Sequence, residues 1–267
     1  MTIKVCLAGA TGWAGSALAK AINSADDMEL VGGVSRTHAG RALGEVLPDV
    51  ENTLILSGSA AEALKTQCDV FVEYTHPEVA LQNILLALEA GAHVVVGTSG
   101  LSDEDYRRIN EAAARKGLGV LAAGNFAMTA VLLQKFAEMA ARYIPHCEII
   151  DYAGAGKADV PSGTVRELAQ RLGRVRKSML DVPLEAIQGP VETRGARLNE
   201  TQVHAVRLPG YVLSAEVIFG MPDQKLILRH EAGASAEPYV AGAMLAIRKA
   251  NSFTGLKRGL DAVMDIY

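Results

Sequence analysis

A glycine turn near the start of the chain constrains the fold most. Ile3-Lys4-Val5-Cys6-Leu7-Ala8 is a short β-rich run that feeds straight into Gly9-Ala10-Thr11-Gly12-Trp13-Ala14-Gly15, and a helical pattern then continues to about Ile22. Glycines between a strand and a helix let the backbone approach a pyrophosphate, and the helix N-terminus supplies N–H groups and partial positive charge. The GxxGxxG spacing in this setting predicts a dinucleotide site, with Gly9, Thr11, Gly12, Trp13, Ala14 and Gly15 as cofactor-binding candidates. The plainer alternative is a tight strand-to-helix turn with no ligand.

Beyond the turn the chain keeps the same rhythm. Strand-like runs at Glu29 to Val34, Asp69 to Tyr74, His93 to Gly97 and Leu118 to Ala122 alternate with helical patterns at Val79 to Ala90 and from Ser102 to Gly117. Ser102 with Asp105 three residues on reads as a capping box, and Gly117 as the helix stop. Repeated βα units predict an α/β fold, a doubly wound Rossmann-type parallel sheet. After Phe126 the pattern changes. A helix at Thr129 to Ala141, a strand at Glu148 to Tyr152 and a helix at Ser162 to Leu172 lead to a loop-rich stretch, Arg174 to Asn199. Close-set strands at Thr201 to Arg207, Ser214 to Phe219 and Lys225 to His230 predict a smaller α+β domain with a mixed or antiparallel sheet. Ala-rich helices from Pro238 on return to the first domain. The expected division is 1–126 with 237–267 for the dinucleotide, and 127–236 for substrate and oligomerisation.

Composition removes several functions. A net charge of -4 gives no basic surface for nucleic acid. With 49% hydrophobic residues but one tryptophan and five phenylalanines, the core is mainly Ala, Val, Leu and Ile, as a helix-covered parallel sheet requires. No apolar run is long enough to span a bilayer and no leader precedes the first strand, so the expected location is cytoplasmic. Cys6, Cys68 and Cys147 are odd in number and lack CxxC spacing, and the histidines lack ligand spacing, so neither disulfides nor a metal is expected.

The end of the second strand selects the nucleotide. An acid there would bind the ribose hydroxyls of NAD; this chain has Ser35-Arg36-Thr37, a guanidinium flanked by hydroxyls that suits a 2′-phosphate, so NADP is the expected cofactor. Three further loops follow later strands, where ligands bind in such sheets: Tyr74-Thr75-His76-Pro77, Gly97-Thr98-Ser99-Gly100 and Ala123-Gly124-Asn125-Phe126. Taken singly, each is ordinary turn chemistry.

These motifs, followed by Lys157-Ala158-Asp159-Val160-Pro161-Ser162-Gly163-Thr164, occur in one order that resembles the dihydrodipicolinate reductase family over nearly the whole chain. Val206-Arg207 and Arg229-His230 also fall where that family has similar residues. The resemblance implies an NAD(P)H enzyme of lysine biosynthesis and a homo-oligomer, expected to be a tetramer. The nicotinamide would sit near Thr98, Ser99 and Gly100 and near Gly124, Asn125 and Phe126, with Tyr74, Thr75 and Gly97 as further cofactor-binding candidates. A small carboxylic acid, a cyclic imine, would be held by Lys157, Ser162, Gly163 and Thr164. The loop chemistry agrees, since hydroxyls and amides at a helix start make a carboxylate cradle and Lys157 can pair with the acid.

The family's histidines, one of them its proton donor, correspond here to Ala153, Gly154 and Gly156; Ala127 and Leu213-Ser214-Ala215 depart from its pattern as well. A general acid typically contributes about 10² to 10⁴ in rate. The expected activity is therefore reduction of a related imine or unsaturated acid by another proton route, with Lys157 or Tyr152 as candidate catalytic donors. Slow turnover of the family substrate, and NADP binding without turnover, are the alternatives.

Overall fold

The computed structural model describes residues 2–265, which form two compact units: the chain up to Ala127 joined by the chain from Ala236 on, and Met128–Ser235 between them.

The first unit opens with β1 (Ile3–Ala8), α1 (Trp13–Asn23) and β2 (Met28–Val34). Two one-turn helices follow, α2 (Leu43–Val46) and α3 (Ala60–Ala63). Then come β3 (Val70–Glu73), α4 (Pro77–Glu89), β4 (His93–Val96), α5 (Asp103–Lys116) and β5 (Gly119–Ala122). Its sheet runs β2-β1-β3-β4-β5 and then the late strand β11 (Gly255–Arg258), every pair parallel. The chain leaves β1 in one direction to reach β2 and returns past it to β3, so the sheet has a topological switch point between β1 and β3. Ligands bind at the carboxyl ends of strands at such a point. Helices pack on the sheet, and β3 and β5 are buried at every position, so both are apolar runs except for Glu73 at the end of β3.

The capping box expected at α5 is present. The Ser102 hydroxyl accepts from Asp105 N, the Asp105 carboxylate accepts from Ser102 N, and Gly117 closes the helix at φ 70°.

The second unit comprises α6 (Met128–Ala141), β6 (His146–Ala153), α7 (Gly163–Val175), β7 (Ala196–Leu198), β8 (Thr201–Arg207), β9 (Leu213–Met221) and β10 (Gln224–Ala232). Its sheet, in the order β10-β9-β6-β8-β7, is mixed: β6 and β8 run parallel and the other pairs antiparallel. β6 alternates strictly. Cys147, Ile149, Asp151 and Ala153 are buried on one face, while His146, Glu148, Ile150 and Tyr152 are half-buried on the other. The first face meets α6 and α7, where Leu133, Ala137, Ile149, Leu168, Leu172 and Phe219 form the core.

Two expectations change. After Pro238 there is one α-helix, α8 (Glu237–Lys249), which packs against α1, and then β11 as sixth strand of the parallel sheet. Gly255-Leu256-Lys257-Arg258 is too short and too polar to read as a strand by itself; pairing with β5 gives it the conformation. The loop-rich 174–199 stretch also contains two 3₁₀ turns and the short strand β7.

A histidine ties β5, the strand on which β11 pairs, to β4. Gly119 N donates to His93 Nδ1 at 2.9 Å, so that nitrogen must be unprotonated. Burial lowers the His93 pKa, opposed by Asp69 and by the Ala250 carbonyl. A histidine with a depressed folded pKa contributes stability that is complete above the ordinary imidazole value of about 6.5 and is lost as pH falls through it. Denaturant unfolding followed from pH 7 to pH 5 should show this loss, and His93→Asn, whose amide oxygen can still accept from Gly119, should flatten it.

Candidate active site

In the first unit the glycine turn sits against the end of β3. Gly9 has φ +81°, and a Cβ there would overlap the Tyr74 carbonyl; a Cβ on Gly15 would overlap the Gly9 carbonyl. The turn is therefore closed by backbone on backbone, and only glycine permits it. Gly12 is the N-cap of α1 and offers no side-chain cap, which leaves the first-turn amides of Trp13 and Ala14 directed at the space before the helix. A side-chain cap would occupy the position an anion needs.

A cleft of about 540 Å³ runs from this turn to the end of β2. Thr11 Oγ1 and Ser35 Oγ lie 2.7 Å apart, and Ser35 reaches His38 Nδ1 at 3.3 Å. Arg36 and Thr37 are exposed on its rim. Arg36 makes no ion pair among the described residues, so its charge is available to a ligand. A second cleft, about 370 Å³, lies between the ends of β3, β4 and β5 and is lined by Thr75, Thr98, Ser99, Gly124, Asn125 and Phe126, with Gly97 and Tyr74 beside them. Tyr74 packs over Gly97, where a Cβ would meet its ring, and stands edge-on to Phe126 at 6.0 Å. Trp13 borders both clefts; it is 61% exposed and packs edge-on to Tyr239 at 5.6 Å. All the cofactor-binding candidates except Gly15, which is buried in α1 behind the turn, line two adjoining clefts, and the donors, cation and close-approach glycines fit a dinucleotide.

Sequence reading missed Glu73. It ends β3 at 0% exposure, and burial raises its pKa against several hydrogen bonds. A buried carboxylate has to be met by donors. Here they are Thr75 N at 2.8 Å, the Thr75 hydroxyl, Asn83 Nδ2 at 2.9 Å and Thr98 Oγ1 at 3.3 Å. One side chain thereby joins the loops after β3 and β4. The only sequence signal was an acid closing an otherwise apolar strand.

In the second unit the organiser is Asp151, also 0% exposed. Its carboxylate accepts from Ser162 N and Ser162 Oγ, both at 2.8 Å, and from Arg207 at 2.7 Å. Arg207 also donates to the Asp159 carbonyl at 2.8 Å. The pair therefore fastens both ends of the 159–162 segment, which contains a cis Val160–Pro161 bond, to the ends of β6 and β8. Ser162 then caps α7 by accepting from Val165 N at 3.4 Å. Its amide and its hydroxyl proton are both directed to Asp151, so Ser162 positions the loop rather than presenting a donor outward. The first α7 backbone bond runs from Arg166 N to Ser162 O, and Gly163 has open space where a Cβ would be. Lys157 is one-third exposed and pairs with Asp159 at 2.8 Å, which holds the Asp159 carboxyl below its usual range.

Tyr152 does not join this group. Strand alternation turns it to the sheet face opposite Asp151, where Arg229 lies over its ring at 4.8 Å and Tyr211 packs at 5.1 Å. Desolvation, reinforced by Glu216, raises its phenol pKa. His230 does share the Asp151 face, on the same rung through Ala215. It is 3% exposed, with Nδ1 on Thr129 Oγ1 at 2.9 Å and Nε2 buried without a partner. Desolvation lowers its pKa.

Residues 3–126 match the family model described as dihydrodipicolinate reductase, N-terminus, and residues 129–264 match its C-terminus. The chain belongs to the dihydrodipicolinate reductase family. It is 36% identical over 265 residues to the 4-hydroxy-tetrahydrodipicolinate reductase of Desulfitobacterium hafniense (strain DSM 10664 / DCB-2), covering 98% of this chain and 99% of that one. It is 34% identical to that of Bacillus subtilis (strain 168), over 99% and 98%. Among solved structures, dipicolinate-bound dihydrodipicolinate reductase from Paenisporosarcina sp. TG-14 superposes with a TM-score of 0.87 at 28% identity, over 99% of this chain and 100% of that one. As a dihydrodipicolinate reductase family member, the protein is a pyridine-nucleotide-dependent oxidoreductase.

Removing one partner of a buried ion pair leaves the other uncompensated, a loss of about 3–5 kcal/mol. Arg207→Leu should destabilise the second unit by that order in denaturant unfolding. Limited proteolysis should find the 157–161 loop opened in the variant and protected in the wild type.

Proposed function

We propose that this protein uses NADPH to reduce a cyclic imine or unsaturated carboxylic acid, as a dihydrodipicolinate-reductase-type enzyme with altered substrate or proton delivery. The observation that carries this reading is the contrast within β6 and the loop after it. The Asp151–Arg207 clamp on the Lys157–Thr164 loop is complete, yet the adjoining 153–156 segment, Ala153-Gly154-Ala155-Gly156, has no imidazole.

The first unit would hold the nucleotide and the second the acid. The nicotinamide nucleotide, when bound, supplies the hydride. The α1 amides and the glycine turn face its pyrophosphate, and Ser35, Arg36 and Thr37 supply a cation and hydroxyls for a 2′-phosphate. The substrate carboxylate sits at the amides of Gly163 and Thr164, and the Lys157 ammonium exchanges Asp159 for it. An iminium that arrives protonated needs no donor, and otherwise Lys157 is the group on this loop able to give a proton. Tyr152, on the other sheet face, serves neither role. Glycine and alanine at 153–156 also leave room for a bulkier acid.

The family reaction itself, in lysine biosynthesis, is the second reading. It is favoured by matches that run the full length of relatives bearing that name. Turnover tests separate the two: NADPH oxidation is followed with freshly generated 4-hydroxy-tetrahydrodipicolinate and with a panel of cyclic imine carboxylates. Rapid turnover of the first alone would establish the family reaction, activity on another imine an altered substrate, and silence with tight NADPH binding a non-catalytic binder.

We further propose a cytoplasmic homo-oligomer, a tetramer. The β6–β9–β10 face opposite α6 and α7 carries Ile218 and the half-exposed Ile227 with no helix over it among the described residues. A monomeric mass by light scattering would overturn this.

Two substitutions test the binding roles. Arg36→Ala should weaken NADPH about tenfold and leave NADH unchanged in titration, as loss of a charged hydrogen bond implies. Lys157→Ala should raise the KM for the acid by about tenfold or more with nucleotide affinity intact.

A further inference from the structure

Glu73 does more than join two loops. A threonine hydroxyl has one proton to give and two lone pairs to accept with. The Thr75 hydroxyl gives its proton to Glu73 Oε1, and Thr98 Oγ1 gives its own to Glu73, with Oε1 at 3.3 Å and the Glu73 carbonyl at 3.2 Å. Both threonines line the 370 Å³ cleft. With their protons turned into β3, they face the cleft as acceptors only. The carboxylate behind them adds negative charge that bulk water does not reach, since Glu73 is 0% exposed. A group entering this cleft therefore meets acceptors backed by a negative charge. It is welcome when it brings N–H donors and repelled when it brings a carboxylate.

We infer that Glu73, acting through Thr75 and Thr98, is a positioning residue that selects the carboxamide of the nicotinamide nucleotide over the corresponding carboxylate. The inference rests on the reading that the nicotinamide occupies this cleft. The carboxamide NH₂ donates to the outward lone pairs of the threonines. A nicotinic acid ring in the same place would set a carboxylate against two acceptors and a buried anion. Asn83 on α4 completes the arrangement by donating to Glu73 Oε2 at 2.9 Å, so that Oε1 stays turned to the threonines.

The test is calorimetric titration of the full-length protein with NADP⁺ and with its nicotinic acid counterpart, on wild type, Glu73→Gln and Thr98→Val. Wild type should prefer NADP⁺ by about tenfold or more, the scale of a hydrogen bond involving a charged group. Glu73→Gln removes the charge and should narrow the ratio by strengthening the acid form. Thr98→Val keeps the side-chain shape, loses the acceptor and should narrow the ratio by weakening NADP⁺; it stands in if Glu73→Gln fails to fold. A merely structural role for Glu73 would weaken both nucleotides together and leave the ratio where it was. Equal affinities in wild type, or a ratio unmoved in the folded variants, would overturn the inference with the nucleotide reading intact. Absence of NADP⁺ and NADPH binding to wild type would overturn the nucleotide reading itself.

Discussion

A carboxylate taken wholly out of water near the end of a β-strand has to collect donors, and each unit has one such group. Asp151 at the end of β6 gathers Ser162 and Arg207; Glu73 at the end of β3 gathers Thr75, Asn83 and Thr98. In each case some of the donors, Thr75 and Thr98 in one and Ser162 in the other, belong to segments that follow strands and have few apolar contacts of their own to fix them. The buried charge replaces those contacts. Neither arrangement adds much net stability, because desolvation offsets most of the Coulombic gain. Geometric definition is the return: each loop has one conformation in which the charge is fully met.

The two units differ in how the partner is supplied. Glu73 is met by neutral donors only, so its charge remains uncompensated and can be felt across the adjoining cleft. Asp151 is neutralised by Arg207, whose second task is to hold the Asp159 carbonyl. The second unit thus keeps its buried charge balanced, and the cation it offers outward is Lys157. Under the proposed reading, the cleft beside Glu73 takes a group carrying N–H donors and the second unit an acid. Opposite electrostatic characters on the two units suit a reaction whose partners are a nicotinamide and a carboxylate.

Much of this was legible in the sequence because local rules and tertiary structure agree there. The glycine turn, the parallel strands and the Ser102–Asp105 cap are each specified within a few residues. β11 was not legible: a four-residue polar run becomes a strand only because β5 has an open edge. The role of Ser162 was half legible. Its place before a helix marks an N-cap, but that its proton turns inward depends on Asp151, eleven residues earlier in the chain and adjacent only after folding. Glu73 read only as part of the Asp69 to Tyr74 strand because its partners Asn83 and Thr98 lie 10 and 25 residues away. Tyr152 was a candidate by proximity in sequence, and strand alternation, which reverses the face at each step, separates it from Asp151.

The same geometry bears on the missing histidines. The loop from Lys157 to Ser162 is held by Asp151, Arg207, the Asp159 carbonyl and the backbone bond from Lys157 N to Gly154 O at 3.0 Å. None of these contacts uses a side chain from 153–156. Ala153 is buried as the last inward rung of β6, and Gly156 has open space where a Cβ would be. The side chains at positions 153–156 can therefore change identity without loosening the loop. This chain keeps the Asp151–Arg207 clamp on the loop although the 153–156 segment carries no imidazole.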